Sequence, residues 1–449
     1  VVACRPADRQ FASVVDAMGA PTSFNYDRAG NLIEVIRADG AKVEMSYDSF
    51  GRKRLHAEPE TGSAVFEYDD LGHQTYYRGA DGHSLTTTYD AGGRPFQAVD
   101  DLGQTTDYIY DNPSVLNGLG RLATVRYPLG RTVNHGVRTI TEYDAVGRVV
   151  RAEDSVGPHI ARRRVTYDDL GRVLRKYFPD DTAAVPSYQE NVYEPKGGQV
   201  RTISAQFGAT RTTVASFLNY LPTGHLAART TAGIRSTYSY DAFQRLERLA
   251  STSAAQPNLQ AYKYTFDALG NVSRLDDLRP STLIGGVETS ETMTFAYDKL
   301  SRLRSASGPL LGTQAQAFDY DVLGNITLKD GTKRTYSSCG ALQTCISGSV
   351  AGTATWQVIN DSAGNRQGFS DLTAQRRWDY SYDALGQLLS AEYRPLLGGS
   401  VLSRLDLAYD ASGARVRKIY VDSQGRTATT YYLGSDYELR ESSRGAGVS

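Results

Sequence analysis

A Tyr-Asp pair followed three residues after the Asp by Gly recurs along the chain, and no other feature restricts the fold as tightly. It stands at Tyr26-Asp27 with Gly30, Tyr47-Asp48 with Gly51, Tyr68-Asp69 with Gly72 and Tyr89-Asp90 with Gly93. These tyrosines, continued by Tyr110, are 21 residues apart. After an insertion the motif returns at Tyr143-Asp144 with Gly147 and Tyr167-Asp168 with Gly171. Later copies are Asp267 with Gly270 (after Phe266), Tyr320-Asp321 with Gly324, Tyr382-Asp383 with Gly386 and Tyr409-Asp410 with Gly413. A fixed period of this length is the signature of a repeat architecture, in which one supersecondary unit is stacked many times.

The unit can be read physically. Residues before each Tyr alternate between apolar and polar, as in Val43, Met45 and Tyr47, which predicts strands with one face buried and one wet. Asp opens a turn and Gly closes it in the left-handed conformation that other residues reach only at a cost. Arg, Asn, Gln or His follows and is expected to point outward, and Leu, Val or Ile then returns to the core face. Each unit is therefore strand, tight turn, strand. Two strands cannot bury a face alone, so units must pair side by side into a long antiparallel strip. Helical spacing of apolar residues is almost absent. The expected class is all-β, with a 1–20 lead-in, a repeat region over 21–440 and a tail at 441–449. Within the repeats, 21–111 is regular, 112–142 is an insertion and 143–440 is irregular.

Composition adds exclusions. Forty-nine Lys and Arg balance 50 Asp and Glu, so no global charge draws the chain to nucleic acid. No apolar run approaches the roughly 18 residues of a membrane span. The length permits a large buried core. The chain begins Val1-Val2-Ala3-Cys4, and the expectation is a fragment of a longer protein.

No arrangement of residues argues for catalysis. A catalytic acid–base pair needs one tuned environment, whereas a dozen Tyr-Asp copies indicate a shared backbone geometry. The carboxylate pairs Asp69-Asp70 and Asp168-Asp169 are turn residues, and Asp180-Asp181 and Asp276-Asp277 lack the alternation of a calcium loop. The six His have no metal-ligand spacing, so neither cofactor nor metal is expected. Cys339 and Cys345 leave two readings open, a disulfide across a loop or two separate thiols, the second being favoured.

These Tyr-Asp units resemble the YD or RHS repeats of rearrangement-hotspot proteins, a family including bacterial polymorphic toxins, the C components of insecticidal toxin complexes and animal teneurins. The resemblance spans roughly residues 21–440. It implies a β-strip that spirals into a hollow shell, which in toxin members encloses the protein's own C-terminal toxic domain. It further implies a secreted or cell-surface bacterial protein and partners among secretion-system or toxin-complex components. The Asp-Pro-x-Gly-Leu signature that ends the toxin core segment is missing, although Thr429–Glu438 resembles the run leading into it. The cargo domain is therefore expected to lie outside this sequence. A second reading is an adhesion module whose tyrosines stack on glycans. Against it, Tyr shares a strand face with Val, Leu and Met.

Overall fold

In the computed structural model, residues 2–4, 10–130, 135–179, 186–195, 197–279, 291–311, 315–340, 343–434, 437–442 and 445–447 are described. They form thirty-nine strands and one three-residue 3-10 turn, Pro309–Leu311. Strands pair antiparallel with their neighbours in sequence, as Pro21–Tyr26 does with Leu32–Ile36 and that strand with Lys42–Tyr47. The fold is all-β and built of hairpins.

The motif turns explain this regularity. At the first one, Gly30 N–H donates to the Asp27 carbonyl (3.2 Å) and Asp27 N–H to the Asn31 carbonyl (2.9 Å). Gly30 has φ +89°, and the register shifts by one residue between Asn25 and Tyr26. This is a type I turn with a left-handed residue and a bulge, the geometry that suits the twist of the flanking strands. A second turn lies at the far end of each hairpin, at Arg37–Gly40 for instance, so that each 21-residue period carries two reversals.

The chain divides into two compact units, residues 1–162, 320–327 and 332–449, and residues 163–319 and 328–331. In the first unit, strands of the early repeats meet strands of the late ones. Val125, Tyr127, Leu129, Val156 and Ala161 pack with Ala408, Val416, Tyr431 and Leu433 into the largest buried cluster. A neighbouring cluster of Val115, Ala123, Ile140, Tyr143 and Ala152 takes one residue from the loop that interrupts the fifth motif. Asp111 N–H still donates to the Arg121 carbonyl (3.1 Å), so the hairpin closes around that loop.

In the second unit the buried positions are mostly small or polar: Glu190, Ser204, Ala215, Ala228, Ser236, Ser251, Met293 and Ala306. The large core that chain length permits is not what forms. A single ribbon has two faces, and most side chains on either face stay half-buried unless a second ribbon covers them. Cys345 is disulfide-bonded, which removes the separate-thiol reading for it. The Cys339 side chain and Asp180-Asp181 lie outside the described residues.

Candidate functional site

The expected turn residues occupy one recurring structure. At Gly30, Gly51, Gly72, Gly93, Gly147, Gly171, Gly270, Gly324, Gly386 and Gly413, φ runs from +73° to +92°. In each turn one Asp oxygen accepts two backbone N–H groups. Asp48 Oδ1, for example, takes Phe50 N and Arg52 N, both at 2.9 Å. In most of these turns, though not at Asp383 or Asp410, the other oxygen binds the side chain four residues on. Arg52, Arg94, Arg148, Arg172, Arg245, Arg302 and Arg426 close such bridges, and so do Asn31, Asn271 and Asn325. Hydrogen bonds from the Asn31 side chain hold the Asp27 carboxyl below its ordinary range, and those from Arg94 and Asn271 do the same to Asp90 and Asp267.

This corrects the expectation that the residue after Gly points outward. It folds back on its own Asp and then over the next repeat's aromatic ring. The Arg52 guanidinium lies 5.0 Å from the Tyr68 ring centroid, Arg94 4.3 Å from Tyr110, Arg172 4.2 Å from Tyr193 and Arg245 4.2 Å from Phe266. His73 likewise bonds Asp69 (2.8 Å) and stacks on Tyr89 at 4.6 Å. A cation over an aromatic face is attracted by the ring quadrupole.

The tyrosine completes the link from the other side. Tyr47 Oη donates to the Leu32 carbonyl (2.9 Å), Tyr68 to Lys53 (3.0 Å), Tyr89 to Gln74 (2.9 Å) and Tyr143 to Leu122 (2.6 Å). Further along, Tyr297 donates to Val272 (2.9 Å), Tyr382 to Arg366 (3.0 Å) and Tyr409 to Leu388 (2.9 Å). The acceptor belongs to the strand that follows the preceding motif turn. Each Tyr is thus a strut tying its repeat to the one before. Partial burial pushes the Tyr47, Tyr89, Tyr143, Tyr297 and Tyr409 hydroxyls above their usual pKa. Tyr26, Tyr167 and Tyr320 close their strands in the same place.

The early and late repeats of the first unit also meet along a seam. Ser362 Oγ donates to the Ala80 carbonyl (2.7 Å), Arg417 Nη2 to the Leu129 carbonyl (2.9 Å), and His159 Nε2 contacts Glu441 Oε1 at 2.9 Å. Early and late repeats also jointly line a cavity of about 120 Å³, with Asp100, Gln104, Tyr108 and Tyr127 on one side and Asp383 and Tyr409 on the other, among others. Among the described residues no group of three or more His, Cys, Asp or Glu could hold a metal ion. No helix there is long and apolar enough to cross a membrane.

Comparison with known proteins follows the same lines. The family model described as Teneurin YD-shell matches residues 7–436. A chain of the Photorhabdus luminescens Tc holotoxin pore superposes with TM-score 0.75 at 17% identity, covering 97% of this chain and 23% of that one. The TcdB2-TccC3-TEV crystal structure superposes with TM-score 0.74 at 17% identity over 95% of this chain and 23% of its own. The chain therefore spans about a quarter of the length of these neighbours. No curated protein sequence matches it.

Proposed function

Because the chain belongs to the teneurin YD-shell family, we propose that it is wall rather than machinery: a non-enzymatic segment of a β-shell that encloses a polypeptide cargo, a C-terminal toxin domain of the same longer protein. The observation that carries this reading is the use of the repeated residues. Asp, Gly, Arg and Tyr, which would have to supply any repeated chemistry, are engaged in joining one hairpin to the next. Such a chain is suited to extended stiffness. The likeness in fold to toxin-complex chains supports a secreted bacterial setting and toxin-complex partners. The glycan reading loses its footing, since motif rings such as Tyr68 and Tyr110 carry a guanidinium on one face.

Limited proteolysis of the natural full-length protein tests the proposal. The segment downstream of the shell should resist protease in native buffer and become cleavable at the denaturant concentration that opens the strand region. Cleavage of that segment in native buffer, at the rate of the same segment expressed alone, would refute enclosure.

A further inference from the structure

The seam cavity is lined by two motif turns that lack the usual side-chain bridge, those of Asp410, where Ala414 stands four residues on, and of Asp383. Asp383 accepts the backbone N–H groups of Leu385 (2.9 Å) and Gln387 (2.8 Å) like every motif aspartate. The residue four positions on is Gln387, and its side chain does not close back on Asp383. Its amide instead lies where a Cβ on Gly413 would come within 2.8 Å, towards the following turn. The second oxygen of Asp383 therefore lacks the bridge that Arg, Asn or His supplies at most other motif turns. This turn lines the seam cavity opposite Asp100, whose Oδ1 is taken by Leu102 N (3.0 Å) and Gln104 N (2.7 Å).

We propose that Asp383 and Asp100 form a pH-sensitive latch between the early and late repeats of the first unit: protonation of Asp383 tightens the seam at this point, and ionisation loosens it. Two like charges facing across a small cavity repel, and a carboxylate drawn out of water without a bridging side chain is pushed towards its neutral form, here against the two backbone N–H donors that favour the charged one. Burial indeed raises the Asp383 carboxyl above the ordinary aspartate value, with Asp100 adding to the rise and His83 opposing it. The remaining titratable groups around the site are Tyr108 and Tyr127 from the early repeats and Tyr409 and Asp410 from the late ones. Burial holds Tyr108 and Tyr409 above their usual range, so both stay neutral in this window. For an acid whose folded pKa is raised, the contribution to stability is complete below the unfolded value and lost as pH rises through the folded one. The latch thus runs opposite to the bridged turn aspartates. This inference concerns the seam alone and holds whatever the shell encloses.

Hydrogen exchange read by mass spectrometry on the whole chain tests it, with rates corrected for the intrinsic pH dependence of exchange. Peptides covering 383–389 and 98–104 should gain several-fold in protection as pH is lowered from neutral towards the ordinary aspartate value, through the raised Asp383 value. Asp383→Asn should show the high protection throughout and no pH dependence, although His83 is still present. Gln387→Arg, which supplies the missing partner, should abolish the gain on acidification while leaving the turn intact. Protection that is flat in the parent, or that changes equally in Asp383→Asn, would overturn the proposal.

Discussion

The left-handed turn position can be tested in both directions. Gly72 has φ +92° and nothing within 4 Å of where a Cβ would stand. Gly72→Ala therefore introduces backbone strain without a clash, and should cost about 1 kcal/mol. Two motif turns carry the opposite experiment, because Gln244 and Ser301 occupy the same slot with φ of 66° and 59°. Their hydrogen bonds are those of the glycine turns: Gln244 N–H to the Asp241 carbonyl and Ser301 N–H to that of Asp298, both 3.0 Å. Gln244→Gly and Ser301→Gly should each relieve strain. The gain, after the added freedom of glycine in the unfolded chain, should be roughly 0.5–1 kcal/mol. Long repeat arrays need not unfold in one step, so the assay is local opening: hydrogen exchange of the amides in each substituted hairpin. The expectation is about fivefold faster exchange in the Gly72→Ala hairpin and slower exchange in the other two, from about 1 kcal/mol or less at each site. Gly72→Ala without effect, together with destabilisation by Gln244→Gly, would refute the turn geometry.

Further outcomes follow from the same structure. Gly171→Val, at φ +81°, should destabilise its hairpin by about 1–3 kcal/mol in the same exchange assay, since a β-branched residue tolerates that conformation worst. Glu190 is buried between Arg175 and Arg211. Glu190→Gln should cost about 1–3 kcal/mol in a urea titration, less than a fully buried pair because both arginines reach solvent. The depressed carboxyls of Asp27, Asp90 and Asp267 stabilise the fold above the ordinary aspartate pKa, and that contribution is lost as pH falls through their lowered values. The raised tyrosine hydroxyls act at the other end, with stability lost as pH rises above about 10. Circular dichroism against pH should show a broad plateau bounded by these two losses.

The turn chemistry was legible in the sequence because it is local: Asp and Gly three apart dictate a reversal whatever surrounds them. The partner of the Arg slot was not. Arg52 meets its own Asp48 four residues back, within reach of a sequence argument, but its ring partner Tyr68 is 16 residues ahead and adjacent only once two hairpins are stacked. A regular pairing of Arg or His after each Gly with an aromatic at the next motif was the available signal. The Tyr hydroxyl bonds were hidden similarly, since a ring alternating with Val and Met reads as core filler. The seam was beyond sequence reasoning altogether. Ser362 meets Ala80 across 282 residues, and nothing in either repeat marks which later one will dock against it.

The central claim, that the motif tyrosines are struts between repeats, is tested most directly by comparing Tyr→Phe substitutions inside and outside the motif. Tyr47→Phe, Tyr68→Phe, Tyr143→Phe and Tyr409→Phe each remove one hydroxyl-to-carbonyl bond and should each lower local stability by about 1 kcal/mol by hydrogen exchange. Tyr76→Phe and Tyr264→Phe, in strands Gln74–Arg78 and Gln260–Phe266 but away from the motif position, should leave exchange unchanged. Equal effects in the two sets, or none in either, would contradict the account.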